Sequence, residues 1–101
     1  MTTTAREAKD AINQALDLFH RRWTLRVLWE LRGPALTFRA LQDASGGLSP
    51  TVLNQRLAEL REAGLLASGD AGYELTAIGR ELLVAFEPLT RWAVRWKRHR
   101  P

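Results

Sequence analysis

Residues 48–64 read LSPTVLNQRLAELREAG and have the pattern of one amphipathic helix with marked ends. Ser49 is suited to accept a hydrogen bond from a free amide at the helix start. Pro50 suits the first helical position, where its missing N–H would be unpaired in any case. Gly64 tolerates the left-handed conformation in which many helices end. The sequence therefore predicts a helix that begins after Ser49 and ends before Gly64.

The two faces of this helix differ in chemistry. At the helical period one stripe collects Leu53, Leu57 and Leu60, with Val52 and Arg56 at its edge. The outward face near the amino end carries Thr51, Asn54 and Gln55, whose hydroxyl and amide groups can bond to base edges in a major groove. This pattern favours a DNA recognition helix, and an ordinary surface helix with a solvated outer face is the alternative.

The composition is that of one small domain. The chain has 101 residues, 46% of them hydrophobic and 26% charged, so we expect residues 1–101 to form a single domain with a small core. Such a core is marginal alone, and oligomerisation would stabilise it. The chain has no cysteine, which excludes a disulfide, a thiol switch and a Cys-based zinc site. Its two histidines, His20 and His99, are far apart, so we expect no metal and no cofactor.

Neither a membrane span nor a secretion signal is visible in the sequence. The longest unbroken apolar run has five residues, 82–86, whereas a spanning helix needs about 20. The amino end lacks the basic and then apolar pattern of a signal peptide. We therefore expect a cytoplasmic protein without a membrane partner.

The net charge of +4 is unevenly distributed. Five positive and no negative charges lie in the last eleven residues, which leaves −1 on residues 1–90. Between His20 and Arg61, seven arginines face three acidic residues, an excess of four. Phosphate backbones attract such clusters through counterion release. For any single arginine, a solvated surface position is the simpler interpretation.

The first 32 residues have the pattern of two helices. Thr3 or Thr4 can cap the first, whose apolar residues recur at intervals of three and four up to Phe19. A basic His-Arg-Arg connection leads to the second helix, residues 23–32, which the following Gly-Pro pair stops. We assign Trp23 to the buried stripe of this helix rather than to ligand binding.

A short strand, a helix and a hairpin complete the middle of the chain. Residues 35–36 allow a very short strand, and Thr37 can cap a third helix before a Ser-Gly-Gly turn at residues 45–47. After the recognition helix the pattern becomes extended. Residues 65–68 and 73–75 flank a glycine-bounded turn and predict a small hairpin.

The last predicted helix begins at a Thr76 cap, and Pro88 should kink it near residues 85–87. Its broad apolar face, followed by a basic end, is too large for a monomer of this size to bury, so we favour a subunit interface over an internal core. The residues expected in the dimer interface are Ile12, Phe19, Leu82, Phe86, Leu89, Trp92 and Trp96. A small aromatic effector between the helices is an alternative without a supporting motif.

The order of these elements is that of a winged helix-turn-helix domain, mainly α with a small β-hairpin wing. Four segments carry a more specific resemblance: LDLFHRRWTLRVLWEL at 16–31, GPALTFRAL at 33–41, LSPTVLNQRLAELREAGLL at 48–66 and YELTAIGRELLVAFEPLTRW at 73–92. Together they resemble the HxlR family of bacterial transcriptional regulators, a branch of the MarR-like group. The resemblance implies a homodimer in which residues 49–63 enter the major groove, the hairpin flanks the minor groove, and the first and last helices pair two subunits.

The chain departs from the family pattern at two places. Many members have a cysteine shortly before the Leu-Asp pair that is residues 16–17 here, whereas the matching place is about Asp10, which excludes a thiol-based sensor. Family wings are usually longer, with an arginine before the Glu-Tyr pair of the returning strand. Here the turn is Gly-Asp-Ala-Gly with Asp70 at its tip, which argues against minor-groove contact by the wing.

No catalytic constellation is visible in the sequence. It has no paired carboxylates in a glycine-bounded cleft, no nucleophile with a nearby histidine and no phosphate loop, so we expect no enzyme. We predict instead a sequence-specific regulator that binds double-stranded DNA as a homodimer. The alternative is a winged-helix module that binds an acidic protein or RNA through its basic tail, without an operator.

Seven residues are the expected DNA contacts. Thr51, Asn54 and Gln55 are the candidates for base contacts. The candidates for phosphate contacts are Ser49, Arg21, Arg39 and Arg56. The edge position of Arg56 suits an internal salt bridge equally well.

Overall fold

The computed structural model describes residues 2–101, which form five helices and one two-stranded hairpin. In chain order the elements are α1 (Ala5–Phe19), α2 (Thr24–Glu30), α3 (Phe38–Ala44), α4 (Pro50–Glu62), β1 (Leu66–Gly69), β2 (Gly72–Leu75) and α5 (Ala77–His99). The predicted fold class is confirmed: the domain is mainly helical, and the hairpin wing follows α4.

Side-chain caps begin four of these helices, as the sequence predicts. The capping hydroxyls each accept a hydrogen bond from the amide three residues further on, at 3.1–3.2 Å, and they belong to Thr4, Thr37, Ser49 and Thr76. A cap of this kind contributes about 1 kcal/mol to helix stability. Pro50 occupies the first turn of α4, and Gly64 after its end has a φ of +78°. The predicted bounds of the recognition helix are therefore confirmed.

The second helix is shorter than predicted at both ends. Trp23 precedes α2 in a left-handed conformation, with a φ of +79°, so the helix begins at Thr24 and not at residue 23. At the other end the N–H of Leu31 donates to the carbonyl of Leu28, three residues back, which tightens the chain out of the α-helix after Glu30. The prediction of one helix over residues 23–32 is wrong in these bounds. Trp23 nevertheless packs against the core, as predicted.

The wing is a tight hairpin whose second strand is tied to the helical part. Its register pairs Leu66 with Leu75 and Gly69 with Gly72, so both strands include a glycine that the sequence analysis assigned to the turn. The predicted short strand is present as a single β-bridge between Leu36 and Tyr73. The N–H of Leu36 donates to the carbonyl of Tyr73 at 3.0 Å, and the N–H of Tyr73 donates back at 2.7 Å.

The core is built by the helix-turn-helix and the wing. Its members are fully buried or nearly so, and they are Val27, Leu28, Leu31, Leu41, Leu48, Leu53, Leu57, Leu60, Leu66 and Leu75. Burying one such side chain stabilises the fold by about 1.5–3 kcal/mol. The predicted stripe of α4 forms the centre of this core, because its three leucines pack toward α2 and β1.

The first and last helices lie outside this core. Within residues 2–101, α1 has no buried residue and Gly79 is the buried residue of α5. The chain is correspondingly open: its radius of gyration is 15.0 Å, compared with about 13 Å for a compact chain of 100 residues. The 23 residues of α5 continue helically through Pro88, and a kink there stays a prediction. None of the helices in residues 2–101 combines the length and hydropathy needed to cross a membrane.

Candidate nucleic-acid interface

The exposed face of α4 carries the three predicted base contacts. Thr51, Asn54 and Gln55 are exposed, while the leucines on the opposite side of the helix are buried. The three polar side chains lie within the first two turns and span about 6 Å along the axis. They therefore form a short, rigidly held polar surface at the amino end of the helix.

Two side-chain hydrogen bonds hold the turn that leads into α4. Half-buried Gln42 donates from Nε2 to the carbonyl of Leu48 at 2.9 Å, and Arg26 donates from Nη2 to the carbonyl of Ala44 at 3.2 Å. Each bond satisfies a backbone carbonyl group that the turn leaves unpaired. Neither role could be identified from the sequence, because a hydrogen bond between a side chain and a backbone group six or eighteen positions away has no periodic signal.

The predicted phosphate contacts lie in different environments. Arg39 is exposed on α3 and has no ion pair within residues 2–101. Arg21, in the connection between α1 and α2, is paired through Nη1 with Oε1 of Glu59 at 2.8 Å, and its side chain is 49% exposed. The hydroxyl of Ser49 accepts the capping bond from Val52, which leaves its own hydrogen free to donate.

Arg56 points toward the protein rather than toward solvent. Its side chain is 15% exposed, and Nη1 donates to both carboxylate oxygens of Glu59, at 2.7 and 2.6 Å. This is the internal salt bridge that its edge position suggested. The same carboxylate thus receives two guanidinium groups, one from Arg56 and one from Arg21.

This arrangement stabilises the ionised form of Glu59. Partial burial of the carboxylate favours protonation, but the hydrogen bond and charge of Arg56, and then the charge and hydrogen bond of Arg21, outweigh it. The pKa of Glu59 is therefore held below its ordinary value of 4.5. At neutral pH the group is a carboxylate between two cations.

The wing presents little positive charge. Asp70 is exposed at the tip, and the guanidinium of Arg61 on α4 lies 5.8 Å from the centre of the Tyr73 ring. A cation near an aromatic face is attracted to it. Arg61 thus links the end of the recognition helix to the second strand of the wing.

The predicted dimer-interface residues divide into two groups. Four of them are about half exposed, between 48 and 54%, and they are Ile12, Leu89, Trp92 and Trp96. The other three, Phe19, Leu82 and Phe86, are half-buried by their own chain. Trp92 and Trp96 stack on each other with ring centres 5.8 Å apart, and Arg100 lies over Trp96 at 4.7 Å.

The structure adds apolar residues to this surface. Leu16 on α1 is 55% exposed and Ile78 on α5 is 53% exposed. Along α5 a single stripe, which we call the α5 stripe, contains Ile78, Ala85, Leu89, Trp92 and Trp96 and extends over about 27 Å. Between α1 and the start of this stripe lies an open apolar groove of about 600 Å³. The helical period places Ile78 and Leu16 on these faces, so the sequence held a signal for both.

A cap-defined recognition helix, a buried leucine core and a paired wing together define a winged helix-turn-helix domain. The chain belongs to the HxlR-like helix-turn-helix family, whose model matches residues 18–101. The family resemblance of the four sequence segments is thereby confirmed. The cysteine-free amino-terminal helix lies largely before the matched region.

Individual relatives agree with this assignment. The chain is 27% identical over 90 residues to the HTH-type transcriptional regulator YvaP of Bacillus subtilis, covering 82% of this chain and 83% of that protein. Its fold is similar to a MarR family transcriptional regulator from Enterococcus faecalis, with a TM-score of 0.79, 27% identity, and coverage of 98% and 94%. An HxlR family transcriptional factor described from Thermoplasma volcanium matches with a TM-score of 0.72, 25% identity, and coverage of 82% and 81%.

These comparisons establish the class of protein. The chain is a transcriptional regulator of the helix-turn-helix type, in a family that binds DNA. The family and the relatives are regulators and not enzymes.

Proposed function

We propose that this chain binds a pseudo-palindromic operator as a homodimer, with α4 of each subunit in a major groove. The observation that carries the proposal is the division of α4 into a fully buried leucine stripe and an exposed polar face at its amino end. A helix held on one side by a core can present the other side to bases without losing its position.

Within α4, three side chains supply the base contacts. The amides of Asn54 and Gln55 match the paired donor and acceptor of adenine in the major groove, and Thr51 can bond to a base edge or contact a thymine methyl. A good bidentate contact of this kind is worth about 1–3 kcal/mol of discrimination. Gln55, one turn into the helix and exposed, is the side chain that we expect to contribute most.

Phosphate contacts position this helix. Arg39 supports the role best, because it is exposed and free of an acidic partner within residues 2–101. Ser49 can donate its hydroxyl hydrogen, and Arg21 keeps donors beyond the one that Glu59 occupies. Arg56 is turned inward onto Glu59, so we assign it to holding α4 rather than to a phosphate.

The exposed apolar faces of α1 and α5 support assembly of two subunits. Monomers rarely leave a large contiguous apolar surface open to water. The exposed residues of the α5 stripe are the basis for such a surface, and Ile12 and Leu16 of α1 are about half exposed as well. Pairing through these helices would place two recognition helices about 34 Å apart, one turn of the duplex.

Operator selection followed by two matched variants tests this proposal. Sequences bound by the wild type are first selected from a random DNA pool. Gln55→Ala should then lose about 1–3 kcal/mol on the selected operator and relax the preference at one base pair of each half-site. Arg39→Ala should weaken binding to all sequences alike and lower the slope of log affinity against log salt by about one per subunit.

Arg95→Ala, which removes an exposed arginine of α5 far from α4 in the chain, is the control and should leave both quantities unchanged. The proposal for α4 is wrong if Gln55→Ala keeps the wild-type base preference while Arg39→Ala alters it. The acidic Asp70 at the wing tip favours the alternative of a protein partner. That alternative gains support if no sequence is enriched from the pool.

A further inference from the structure

One ion pair in this protein joins distant parts of the chain. Within residues 2–101 there are four salt bridges, and three of them connect residues three or four positions apart on one helix. The fourth joins Arg21 to Glu59, which are 38 positions apart. It connects the segment that leaves α1 to the carboxyl half of the recognition helix α4.

Few other contacts fix the orientation of α1 relative to α4. α1 has no buried side chain and packs mainly against α2, whereas α4 packs against α2 and β1. Between α1 and α4, the Arg21 and Glu59 side chains line an open cleft together with Asp17, Leu18 and Glu62. The ion pair spans this cleft.

Glu59 is itself fixed from the side of α4. Arg56 donates to both of its carboxylate oxygens, and Arg56 is largely buried, with an Nε that has no hydrogen-bond partner among the described residues. If Glu59 turned away, the guanidinium of Arg56 would lose its one anionic partner in a region that water reaches poorly. The carboxylate therefore presents a stationary acceptor to Arg21.

The connection that carries Arg21 is also constrained. Trp23, two residues further on, has a left-handed φ of +79° while its indole packs against the core. Such a conformation is unfavourable for a non-glycine residue and persists where the surroundings determine it. Arg22 lies 5.1 Å from the centre of the same ring. The segment between α1 and α2 thus has one defined path rather than a flexible range.

We propose that Glu59 is a positioning residue that sets the spacing of operator half-sites. The inference rests on the proposed function, in which α1 and α5 pair the subunits and α4 reads the bases. The angle between α1 and α4 then contributes to the distance and rotation between the two recognition helices. One base pair corresponds to about 3.4 Å and a tenth of a turn, so a small change of this angle changes which spacing fits.

This role predicts an effect of removing the Glu59 charge that electrostatics alone would not give. Glu59 is a negative charge on a helix that faces DNA, so its removal should strengthen binding to any duplex. A positioning role predicts in addition that discrimination between half-site spacings is lost. The affinity therefore reports on the charge of residue 59, and the spacing preference reports on the geometry that it holds.

Glu59→Gln and Glu62→Gln form a matched pair for the test. Glu62 is an exposed carboxylate on the same helix, without an ion pair among residues 2–101, so its removal makes the same charge change without breaking the link. Affinities are measured by mobility shift on the selected operator and on versions lengthened or shortened by one base pair between the half-sites. The spacing ratio is the affinity for the selected operator divided by the affinity for a version with altered spacing. Glu62→Gln should keep the wild-type spacing ratio, and Glu59→Gln should reduce it about tenfold.

Arg21→Ala supplies the second arm and covers the case in which Glu59→Gln fails to fold. It should reduce the spacing ratio as Glu59→Gln does, and the double variant should show no further loss, since both changes break one link. A phosphate contact of Arg21 would cancel from the ratio because it is present at every spacing. A wild-type ratio in Arg21→Ala or in folded Glu59→Gln overturns the inference. A wild type that selects no operator overturns the proposed function itself.

Discussion

The leucines of the helix-turn-helix and the apolar residues of α1 and α5 follow the same helical period but meet different surroundings. Leu53, Leu57 and Leu60 of α4 are between 0 and 2% exposed, whereas Leu16 and Leu89 are 55 and 48% exposed. The first set finds its packing partners in the same chain. The second set has its apolar face open, which is what a surface requires when its partner is another molecule.

The difference separates a part of the molecule whose apolar side chains are buried by the chain itself from a part whose apolar side chains remain exposed. α2, α3, α4 and the wing share one cluster of buried side chains. α5 packs against that cluster through half-buried residues such as Leu82 and Leu83, whereas α1 (Ala5–Phe19) contributes no residue to it. Substitutions in the two regions should therefore change different measurable quantities.

The largest effect should come from a charge placed on the α5 stripe. Leu89→Asp or Trp96→Asp would bury an unpaired carboxylate in the proposed interface, twice per dimer, at a cost of several kcal/mol. Sedimentation at micromolar concentration should then show a monomer or an unfolded chain. Val84→Asp is the control, because Val84 is 71% exposed and lies off the stripe. A wild-type monomer, or intact dimers of both stripe variants, would contradict the assignment.

The next largest effect should distinguish a core substitution from a substitution in α1. Leu53→Ala should cost about 2–5 kcal/mol in the free energy of unfolding, because its side chain is fully buried and its removal leaves a cavity. Leu16→Ala should cost little in the folding of one subunit and should instead weaken association. Urea unfolding at several protein concentrations distinguishes the two, since the effect of Leu16→Ala should vary with concentration. Equal, concentration-independent losses would remove the distinction between the two regions.

The contribution of the Arg21–Glu59 ion pair to the free energy of unfolding should depend weakly on pH. Because the pKa of Glu59 lies below its unfolded value of 4.5, its contribution is complete at neutral pH and is lost as pH falls through the lower, folded value. The bond between Arg21 and Glu59, whose side chains are 49% and 22% exposed, is worth about 1 kcal/mol or less. Urea unfolding of the wild type and Glu59→Gln, at one protein concentration, should therefore differ at pH 7, and the difference should shrink as the pH is lowered below 4.5. A difference that grows as the pH falls would show that the ion pair is not its source.

The smallest effect is expected at the basic end of α5. The last turn contains Lys97, Arg98 and His99, where positive charge is favourable to the helix dipole. Removing residues 97–101 should leave the salt slope of operator binding nearly unchanged. A decrease of two or more in that slope would show that the tail contacts DNA.

The local parts of this structure could be predicted well from the sequence. A capping hydroxyl acts on an amide three residues away, so Thr4, Thr37, Ser49 and Thr76 mark helix starts without reference to the rest of the fold. The leucine stripe of α4 depends on period alone and was likewise confirmed. Where a local rule failed, as at Trp23, tertiary packing of a large side chain determined the backbone conformation.

The features that set the geometry of the site could not be predicted in this way. The pairing of Arg21 with Glu59 depends on how α1 approaches α4, and nothing in either residue's neighbourhood specifies the other. Arg56 shows the same limit, since its edge position suited either solvent or a salt bridge until the place of Glu59 was known. Periodicity also identified the apolar face of α5 without deciding how much of it the chain itself would cover.

Two neighbouring parts of the wing differ in how much change they tolerate. Gly72, which begins the returning strand beside the turn, has a φ of +117°, and a Cβ there would overlap the carbonyl oxygen of Leu36, so the strand pair Leu36–Tyr73 requires glycine. The turn itself, Asp70 and Ala71, is exposed and joins the strands by two residues. Residues inserted between Asp70 and Ala71 should therefore lengthen the hairpin while the strands, anchored at Gly72 and Tyr73, keep their register. This domain is thus a scaffold on which a longer, basic wing can be grafted to extend the reach of the protein along a duplex.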